Sequence, residues 1–382
     1  MAFGSKSKAP GKILWLGGYS ALEKPNIGFV TTVDSFVNVE VKAASSNSLL
    51  LNSVSLNEMA KGTLESGRAA LRTSEEMSLF RTAVEIAVSY VSALGVRCSG
   101  MEVTAANDPG FSYSVAGGRL SKSGLGSSAA VTVATIGAIL RAHGIDINKD
   151  DCLHKLSQLS HTVATGKTSS GFDIAAATHG TIIYERYTPD ITNGFPKEYT
   201  DDELLGLVKR EWNYSIEKFS MPGIFKMSYA SFVGEGMSTK AAVSKVFEFK
   251  KSNPERYMEL IGEIGNASNR SIDSLRRISV DGSDSDARNE FRSSFNAGRV
   301  ATKRLGIESG VEIEDDYSTG LIEESCRNGA FVAKLPGAGG RDAIAALSIS
   351  PDDEKLRRFW SSNKSLSVLD IRTSNEGFSS SA

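Results

Sequence analysis

The segment SKSGLGSSAA, residues 121–130, places a lysine, two glycines and two adjacent serines directly before an alanine-rich apolar run. The run predicts a helix, whose N-terminus exposes about four unpaired N–H groups at the positive end of its dipole. Glycines before that end let the backbone approach an anion closely, and hydroxyls in the first turn can bond phosphate or Mg²⁺. The candidate phosphate cradle consists of Gly124, Gly126, Ser127 and Ser128, with Lys122 at its edge.

A plain alternative for this loop is a serine that caps a helix after a glycine-rich turn. Two nucleotide-binding motifs resemble parts of the sequence but do not fit. GLGSSA matches the loose dinucleotide fingerprint, and Asp146 lies 20 residues beyond Gly126, but the preceding GGRLSKS is too polar to be the buried strand that the fingerprint requires. GKTSSG, residues 166–171, contains the GKT of a P-loop, but His161 occupies its required upstream glycine position.

Two further stretches carry residues that could act on an anionic substrate. APGKILWLGGYSAL, residues 9–22, places Lys12 between a turn and a predicted strand. SSGFDIAAATHG, residues 169–180, places Asp173 among small and apolar residues. A lone lysine or aspartate is usually a solvated surface residue, but a carboxylate in an apolar stretch needs a partner.

Bulk composition excludes several classes of protein. The 382 residues are 40% hydrophobic and 23% charged, which is typical of a soluble globular protein. The net charge of −2 gives no general attraction to nucleic acid or to an anionic membrane. The three cysteines are widely spaced and odd in number, which argues against a disulfide framework or a zinc motif. Neither a signal peptide nor an apolar run of about 18 residues is present, so a cytoplasmic location is expected.

Hydrophobic patterning predicts an α+β fold in two layers, because strands and helices are mixed without steady βαβ alternation. Segment 45–75 reads as loop with short strand, and Asp150 is expected to cap a helix over 151–165. A proline-containing stretch, 188–222, is expected to join an N-terminal domain, 1–200, to a C-terminal domain, 221–382, whose last eight residues are expected to fray.

Three motifs in order, APGKILWLGGYSAL, KSGLGSSAA and KLPGAGGRDAIAAL (334–347), resemble the GHMP superfamily of galactokinase, homoserine kinase, mevalonate kinase and phosphomevalonate kinase. Within it, GGY followed by LEKPNIGFV, Lys122 and SSGFDIAAATHG resemble the phosphomevalonate kinase family. The third motif departs from the GAGGGD of many relatives by placing Arg341 where glycine is frequent. Whether Arg341 touches substrate phosphate or points outward stays open.

The resemblance implies a two-domain kinase with a ribosomal-protein S5 domain 2-like N-terminal part, a ferredoxin-like C-terminal sandwich and the active site between them. It implies ATP-dependent phosphorylation of 5-phosphomevalonate, with Lys12, Lys122 and Asp173 as the catalytic residues and with Mg²⁺ held by Ser127 or Ser128. Asp173 is expected to position the acceptor more than to take its proton, because a phosphate acceptor with a second pKa near ~6 is largely ionised at neutral pH.

The resemblance also implies a set of binding residues. The cofactor-binding residues on the loop are Ser123, Gly124, Leu125, Gly126, Ser127, Ser128 and Ala129. The candidate substrate contacts are Tyr19, Ser169, Ser170, Ser238, Gly337, Gly339, Gly340 and Arg341. The alternatives are a kinase of mevalonate or another small alcohol, a related diphosphomevalonate decarboxylase and a non-catalytic protein that kept the fold. The sequence leaves open whether the protein is a monomer or a homodimer.

Overall fold

The structure, a computed structural model, describes residues 3–114, 120–166, 169–196, 198–234 and 239–381. Its strands are β1 (Gly4–Leu16), β2 (Ile27–Ala43), β3 (Ser48–Ser53), β4 (Glu58–Glu65), β5 (Arg68–Leu71), β6 (Met101–Asn107), β7 (Ser112–Ser114), β8 (Leu120–Lys122), β9 (Ile182–Glu185), β10 (Ser215–Lys218), β11 (Phe225–Phe232), β12 (Val332–Lys334), β13 (Ala343–Ile349), β14 (Leu366–Leu369), β15 (Thr373–Ser374) and β16 (Ser379–Ser381). Its α-helices are α1 (Ser78–Ala93), α2 (Ser127–Ala142), α3 (Cys152–Thr165), α4 (Phe172–His179), α5 (Asp201–Lys209), α6 (Thr239–Ser252), α7 (Pro254–Val280), α8 (Ser285–Ser309), α9 (Asp316–Arg327) and α10 (Asp352–Ser362).

The larger sheet is built around β2, a strand of 17 residues. Antiparallel ladders join β2 to β1, β9 and β6, and β3 then pairs in parallel with β6. In the second half of β2, Val37, Val39 and Val41 are buried while the residues between them are more exposed. This alternation, with a period of two, buries one face of the sheet.

Helix α2 lies deep in the N-terminal half of the fold, packed against β1, β2, α1 and α3. Burial on several sides explains its sequence, because a helix with neighbours all round is apolar all round instead of amphipathic. The core positions from Ala129 to Leu140 have almost no exposed surface. The segment before α2 is therefore attached to one of the most rigid parts of the molecule.

The smaller sheet has the order β12-β13-β11-β14 and is antiparallel throughout. Alternate residues of β13 enter two different apolar clusters. Ala345 and Leu347 join the main core, whereas Ile344 and Ala346 pack in a separate cluster with residues of α9 and α10. Both faces of this sheet are consequently covered, one towards the rest of the molecule and one by its own helices.

The end of the chain returns to the larger sheet. Strand β15 pairs with β2, and β16 pairs with β1 through Lys6–Ser381, Ser7–Ser380 and Lys8–Ser379. Lys8 also forms an ion pair with Glu376 at 2.7 Å. The expectation that the last residues fray is wrong up to Ser381, since this tail forms part of a sheet.

Several other local predictions need correction. Asp150 does not cap α3, because it has a φ of 56° and the helix begins two residues later without a side-chain cap. Segment 45–75 contains three strands, β3 to β5. The glycine turn after Lys334 joins two strands, β12 and β13. The change from the larger to the smaller sheet falls between Lys218 and Phe225; the domain limits themselves stay a prediction.

In the ranges given above, every helix is too short or too polar to cross a membrane.

Candidate active site

The loop between β8 and α2 has the backbone shape of an anion cradle. Gly124 and Gly126 have φ values of 78° and 80°, in the left-handed region that favours glycine. Between them Leu125 is buried, and its carbonyl accepts a hydrogen bond of 2.9 Å from the backbone N–H of Lys12. Gly126 is itself the N-cap of α2, so no side chain caps the helix. The Ala129 N–H donates to the Gly126 carbonyl at 3.2 Å, so the first-turn N–H groups available to a ligand are those of Ser127 and Ser128. An anion there is also favoured by the helix dipole.

Lys12 and Asp173, 161 positions apart in the sequence, meet beside this loop. The Lys12 Nζ lies 3.0 Å from Asp173 Oδ1, and the lysine side chain is 12% exposed. Asp173 stands in the first turn of α4, whose N-cap is Gly171 with a φ of 82°. A carboxylate at that end of a helix is favoured by the helix dipole as well as by the lysine. Asp173 is partly buried, with its side chain 34% exposed, and Lys12 is the partner that a carboxylate in this apolar stretch needs.

The Lys12 side chain crosses the loop at Gly126. A Cβ at this glycine would lie 2.6 Å from Lys12 Cε, which is closer than real side chains approach. Glycine is therefore required at position 126 for two reasons. Its backbone is left-handed, and the Lys12 side chain passes where a Cβ would lie. This contact places the Lys12 ammonium close to the helix end where an anion would bind.

The loop is also fixed from the smaller sheet. The Tyr229 hydroxyl, on β11, donates a hydrogen bond of 2.7 Å to the Ser123 carbonyl. The Ser123 hydroxyl donates in turn to the Gly110 carbonyl at 2.7 Å. Ser123 is buried, and its N–H also donates a hydrogen bond of 3.0 Å to the Phe111 carbonyl. Because its hydroxyl, N–H and carbonyl are all bonded within the protein, Ser123 can serve a cofactor site by holding the loop in place. Sequence analysis did not identify Tyr229, since its partner lies 106 residues away.

Tyr19 connects the first motif to the third. Its ring is 3% exposed, and its hydroxyl donates a hydrogen bond of 3.0 Å to the Ala338 carbonyl in the glycine turn after β12. Burial raises the pKa of Tyr19 to about 12, so the hydroxyl keeps its proton and remains a donor. Tyr19 therefore holds the third motif against the first.

The three glycines of the third motif shape this turn, since Gly337, Gly339 and Gly340 all have positive φ. Any Cβ at Gly339 would lie 2.4 Å from the Ile313 carbonyl oxygen. That same carbonyl accepts a hydrogen bond of 2.7 Å from the Gly340 N–H. The turn is thus packed tightly on one side, whereas a Cβ at Gly337 would meet nothing within 4 Å.

Ser169 and Ser170 precede α4, and a buried arginine holds this segment in place. The Arg186 guanidinium donates hydrogen bonds to the Leu22 carbonyl at 2.6 Å and to the Ser169 carbonyl at 3.0 Å. Arg186 is 4% exposed, and it joins the end of the first motif to the segment before Asp173. A charged residue within the apolar stretch TIIYERY was the available signal for it, because a buried guanidinium needs several acceptors.

The remaining predicted residues lie in different surroundings. Arg341 pairs with Asp315, with Nε 2.8 Å from Oδ2, and lies over the Tyr317 ring on the surface. Lys122 is exposed on β8, opposite Ser112 of β7. Ser238 lies outside the described residues. Sequence analysis also missed the neighbour of Arg341, Asp342, whose pKa is raised by burial and lowered in part by the charge of Lys12.

Comparisons with known proteins identify related sequences and a related fold. Residues 82–181 match the family model for the GHMP kinases N terminal domain. The chain is 25% identical to a protein of Arabidopsis thaliana named phosphomevalonate kinase, peroxisomal, over 95% of this chain and 93% of that protein. It is 29% identical to the phosphomevalonate kinase of Candida albicans over 89% and 88% of the two chains. The Streptococcus pneumoniae phosphomevalonate kinase, solved with phosphomevalonate and AMPPNP, superposes with a TM-score of 0.75 at 18% identity, over 97% of this chain and 99% of that one.

The fold is that of a kinase, and the loop before α2 is a candidate anion site without a Walker A sequence. Residues 82–181 belong to the GHMP kinases N terminal domain family, and the predicted α+β fold of that superfamily is confirmed.

Proposed function

We propose that this protein transfers the γ-phosphoryl group of ATP to the phosphate of 5-phosphomevalonate, giving 5-diphosphomevalonate and ADP. The observation that carries the proposal is the Lys12–Asp173 ion pair of 3.0 Å beside the uncapped N-terminus of α2. This arrangement combines a cation, a carboxylate and an anion site, and enzymes that transfer phosphoryl groups use all three. The relatives named above, which cover most of the chain, supply the identity of the acceptor.

Charge is the main difficulty of this reaction, because two polyanions must approach each other. The protein's contribution is therefore alignment and relief of negative charge at the transferred group. In our proposal the loop N–H groups from Gly124 to Ser128 hold the ATP phosphates, because those of Ser123 and Ala129 are bonded to the Phe111 and Gly126 carbonyls. Lys122, exposed at the edge, adds positive charge. Lys12, directed across Gly126, stabilises the group in transfer between the nucleotide and the acceptor.

Asp173 acts in this proposal by positioning. The acceptor phosphate has a second pKa near ~6 and is largely ionised at neutral pH, so no strong base is needed. The carboxylate instead fixes the Lys12 ammonium, whose place sets the alignment of the reacting oxygens.

Mg²⁺ is the expected metal, and the residues present fit it because they offer oxygen ligands. The first turn of α2 offers the hydroxyls of Ser127 and Ser128 beside the anion site, and Mg²⁺ prefers oxygen ligands shared with substrate phosphates. When bound, the ion neutralises charge on the β- and γ-phosphates. Either serine can supply the protein oxygen.

The acceptor contacts divide into direct contacts and positioning residues. Ser169, Ser170 and Ser238 are the proposed direct contacts, and Gly337 borders open space where the third motif can approach the acceptor. Tyr19, Gly339 and Gly340 act by shaping the turn, since their polar groups are already used within the protein. Arg341 acts on neither substrate, because Asp315 occupies its guanidinium.

The test is ADP release from MgATP by the purified protein, in parallel reactions with mevalonate and with 5-phosphomevalonate. Fast turnover with the phosphorylated acceptor alone is the expected result. Turnover with mevalonate alone would assign the protein to the sister kinase, and no turnover with either would support a non-catalytic role. The Asp173→Asn variant is the control for contaminating kinases, because it should lose the activity that belongs to this site.

A further inference from the structure

A second group of chemically active side chains lies at the other end of α4. Asp151, at the start of α3, faces His154 one turn along the same helix and His179 at the end of α4. The His154 Nδ1 lies 2.9 Å from His179 Nε2 and 3.5 Å from Asp151 Oδ2, and His179 Nε2 lies 3.7 Å from that same oxygen. Each residue directs one donor atom towards a common point.

These three distances fit one face of a metal tetrahedron. Zinc bonds of about 2.0–2.2 Å to nitrogen and oxygen place tetrahedral ligand atoms roughly 3.4 Å apart. The observed separations of 2.9, 3.5 and 3.7 Å lie on both sides of that value. Two imidazoles and one carboxylate are a ligand set that zinc uses in proteins. The cluster therefore has both the composition and the spacing of a three-residue site.

The cluster can be reached from solvent. His154 is fully buried, but the side chains of Asp151 and His179 are 31% and 21% exposed. Both border a surface cavity of about 350 Å³, which leaves room for a water molecule as fourth ligand. Two cationic side chains lie nearby, but each is bonded to another group and not to the cluster. Arg141 donates to the Ser380 hydroxyl, and Lys218 donates to the His179 carbonyl.

Neighbouring side chains hold Asp151 and His154 in place. The Tyr214 hydroxyl donates to Asp151 Oδ2, and the Tyr214 ring stacks on His154 with centroids 4.6 Å apart. On the far side of His154, the Gln158 amide nitrogen lies 3.0 Å from Nε2 and 2.8 Å from the Gly171 carbonyl. Such contacts fix the ring plane and direct Nδ1 into the cluster.

Without metal, the same groups form a hydrogen-bond chain. The Gln158 amide nitrogen donates to Gly171 and to His154, so His154 carries its proton on Nδ1 and donates it to His179. When a metal binds Nδ1 of His154, the ring proton moves to Nε2, where it faces the Gln158 amide N–H. Two donors cannot bond each other, so the Gln158 amide must turn its oxygen towards Nε2. Because Gly171 is the N-cap of α4, the cluster is linked to the helix that carries Asp173.

We propose that Asp151, His154 and His179 form a zinc site, separate from the kinase centre, with the fourth position open to the surface cavity.

The test is equilibrium dialysis of the full chain against Zn²⁺ with Mg²⁺ in excess, followed by metal analysis. We expect the wild type to bind one zinc ion that the His179→Gln variant does not bind, and Asp151→Asn to bind it at least about tenfold more weakly. The matched control is His143→Gln, which removes a different histidine, close to the Cys98 thiol, and should leave this zinc ion in place. Equal zinc binding by the wild type and His179→Gln, or none by the wild type, would overturn the proposal.

Discussion

Tyr229 on β11 holds Ser123, in the loop between β8 and α2, by a hydrogen bond of 2.7 Å from its hydroxyl to the serine carbonyl. The tyrosine is 1% exposed, and burial raises its pKa well above its ordinary value, so its hydroxyl remains a donor. A Cβ at Gly124, the next residue of the loop, would lie 3.2 Å from the same hydroxyl oxygen. Strand β11 of the smaller sheet therefore sets the position of a loop whose helix belongs to the other half of the fold.

The Tyr229→Phe variant should bind MgATP several-fold more weakly. Loss of the hydroxyl leaves the buried Ser123 carbonyl without its short hydrogen bond, at a cost of about 1–3 kcal/mol in unfolding free energy. Kinetics of ADP release and urea unfolding measure the two effects. The matched control is Tyr184→Phe, because the Tyr184 hydroxyl is buried and has no hydrogen-bond partner among the described residues. An unchanged KM for MgATP in Tyr229→Phe would contradict this role.

Gly126→Ala should reduce turnover by roughly 10²-fold, because a displacement of about 1 Å at a reacting group can cost that much. Its Cβ would lie 2.6 Å from Lys12 Cε and must push the lysine aside. Gly144→Ala is the control, since Gly144 has a similar φ of 71° and open space around it. Both variants should lose about 1–2 kcal/mol to backbone strain. Comparable turnover in the two variants would show that the contact with Lys12 is unimportant.

Sequence analysis predicted best the elements whose signal is local. Apolar residues repeat at helical spacing over 76–94 and 254–277, which predicts helices there, and α1 and α7 lie close to these bounds. Helix α2 likewise follows the apolar run that predicts it. Helices α5 and α10 were missed. Each opens with consecutive acidic residues in its first turn, which favour a helix N-terminus but are equally common in exposed loops.

The sequence alone does not predict strand pairings and hydrogen bonds between residues that are far apart in the chain. Nothing near Ser379 indicates that β16 pairs with β1, because the partner residues lie more than 300 positions earlier in the chain. The same holds for the bond from Arg186 to Leu22, which joins two backbone segments through one side chain. Motifs thus indicated which residues gather at the site, whereas the residues that hold those motifs together emerged only from the fold.

Arg341→Ala should leave the KM for 5-phosphomevalonate within about twofold of the wild type. The guanidinium is bonded to Asp315 and half exposed, and surface ion pairs contribute only about 0–1 kcal/mol to stability. Steady-state kinetics with the phosphorylated acceptor test this directly. A rise in KM of tenfold or more would mean that Arg341 leaves Asp315 to bind substrate phosphate.

Lys334 should make stability depend on pH above neutrality. It donates a hydrogen bond of 3.1 Å to the Trp15 carbonyl, and burial lowers its pKa to about 8, with the charge of Glu314 opposing the shift. In the unfolded chain the pKa is about 10.4, so the unfolded state holds more protons between these values. Stability contributed by this residue therefore rises from about pH 8 to about pH 10 and is constant below pH 8.

The measurement is urea unfolding of the wild type and Lys334→Met at several pH values from 7 to 10. Relative to the variant, the wild type should become more stable as the pH rises through this range. Buried tyrosines, whose pKa values are raised, weaken both proteins alike at the upper end, so the difference isolates the lysine. A difference in stability that does not change with pH would contradict the prediction.

Asp173→Asn should leave nucleotide binding nearly intact and reduce kcat by roughly 10²-fold, because the Lys12 ammonium loses the carboxylate that fixes it. Nucleotide titration and ADP release measure the two quantities separately. Asp202→Asn is the control, since Asp202 is also an acidic residue in the first turn of a helix but is exposed and far along the chain from the motifs.

The pH profile of kcat then separates the two possible roles of Asp173. If the carboxylate only positions Lys12, the variant should keep the shape of the wild-type profile at a lower rate, with an acidic limb near the second pKa of the acceptor phosphate, about 6. If Asp173 instead takes a proton, the acidic limb belongs to the carboxylate and should disappear in the variant. Near-normal turnover of Asp173→Asn would reject both roles, and with them the ion pair as the centre of the reaction.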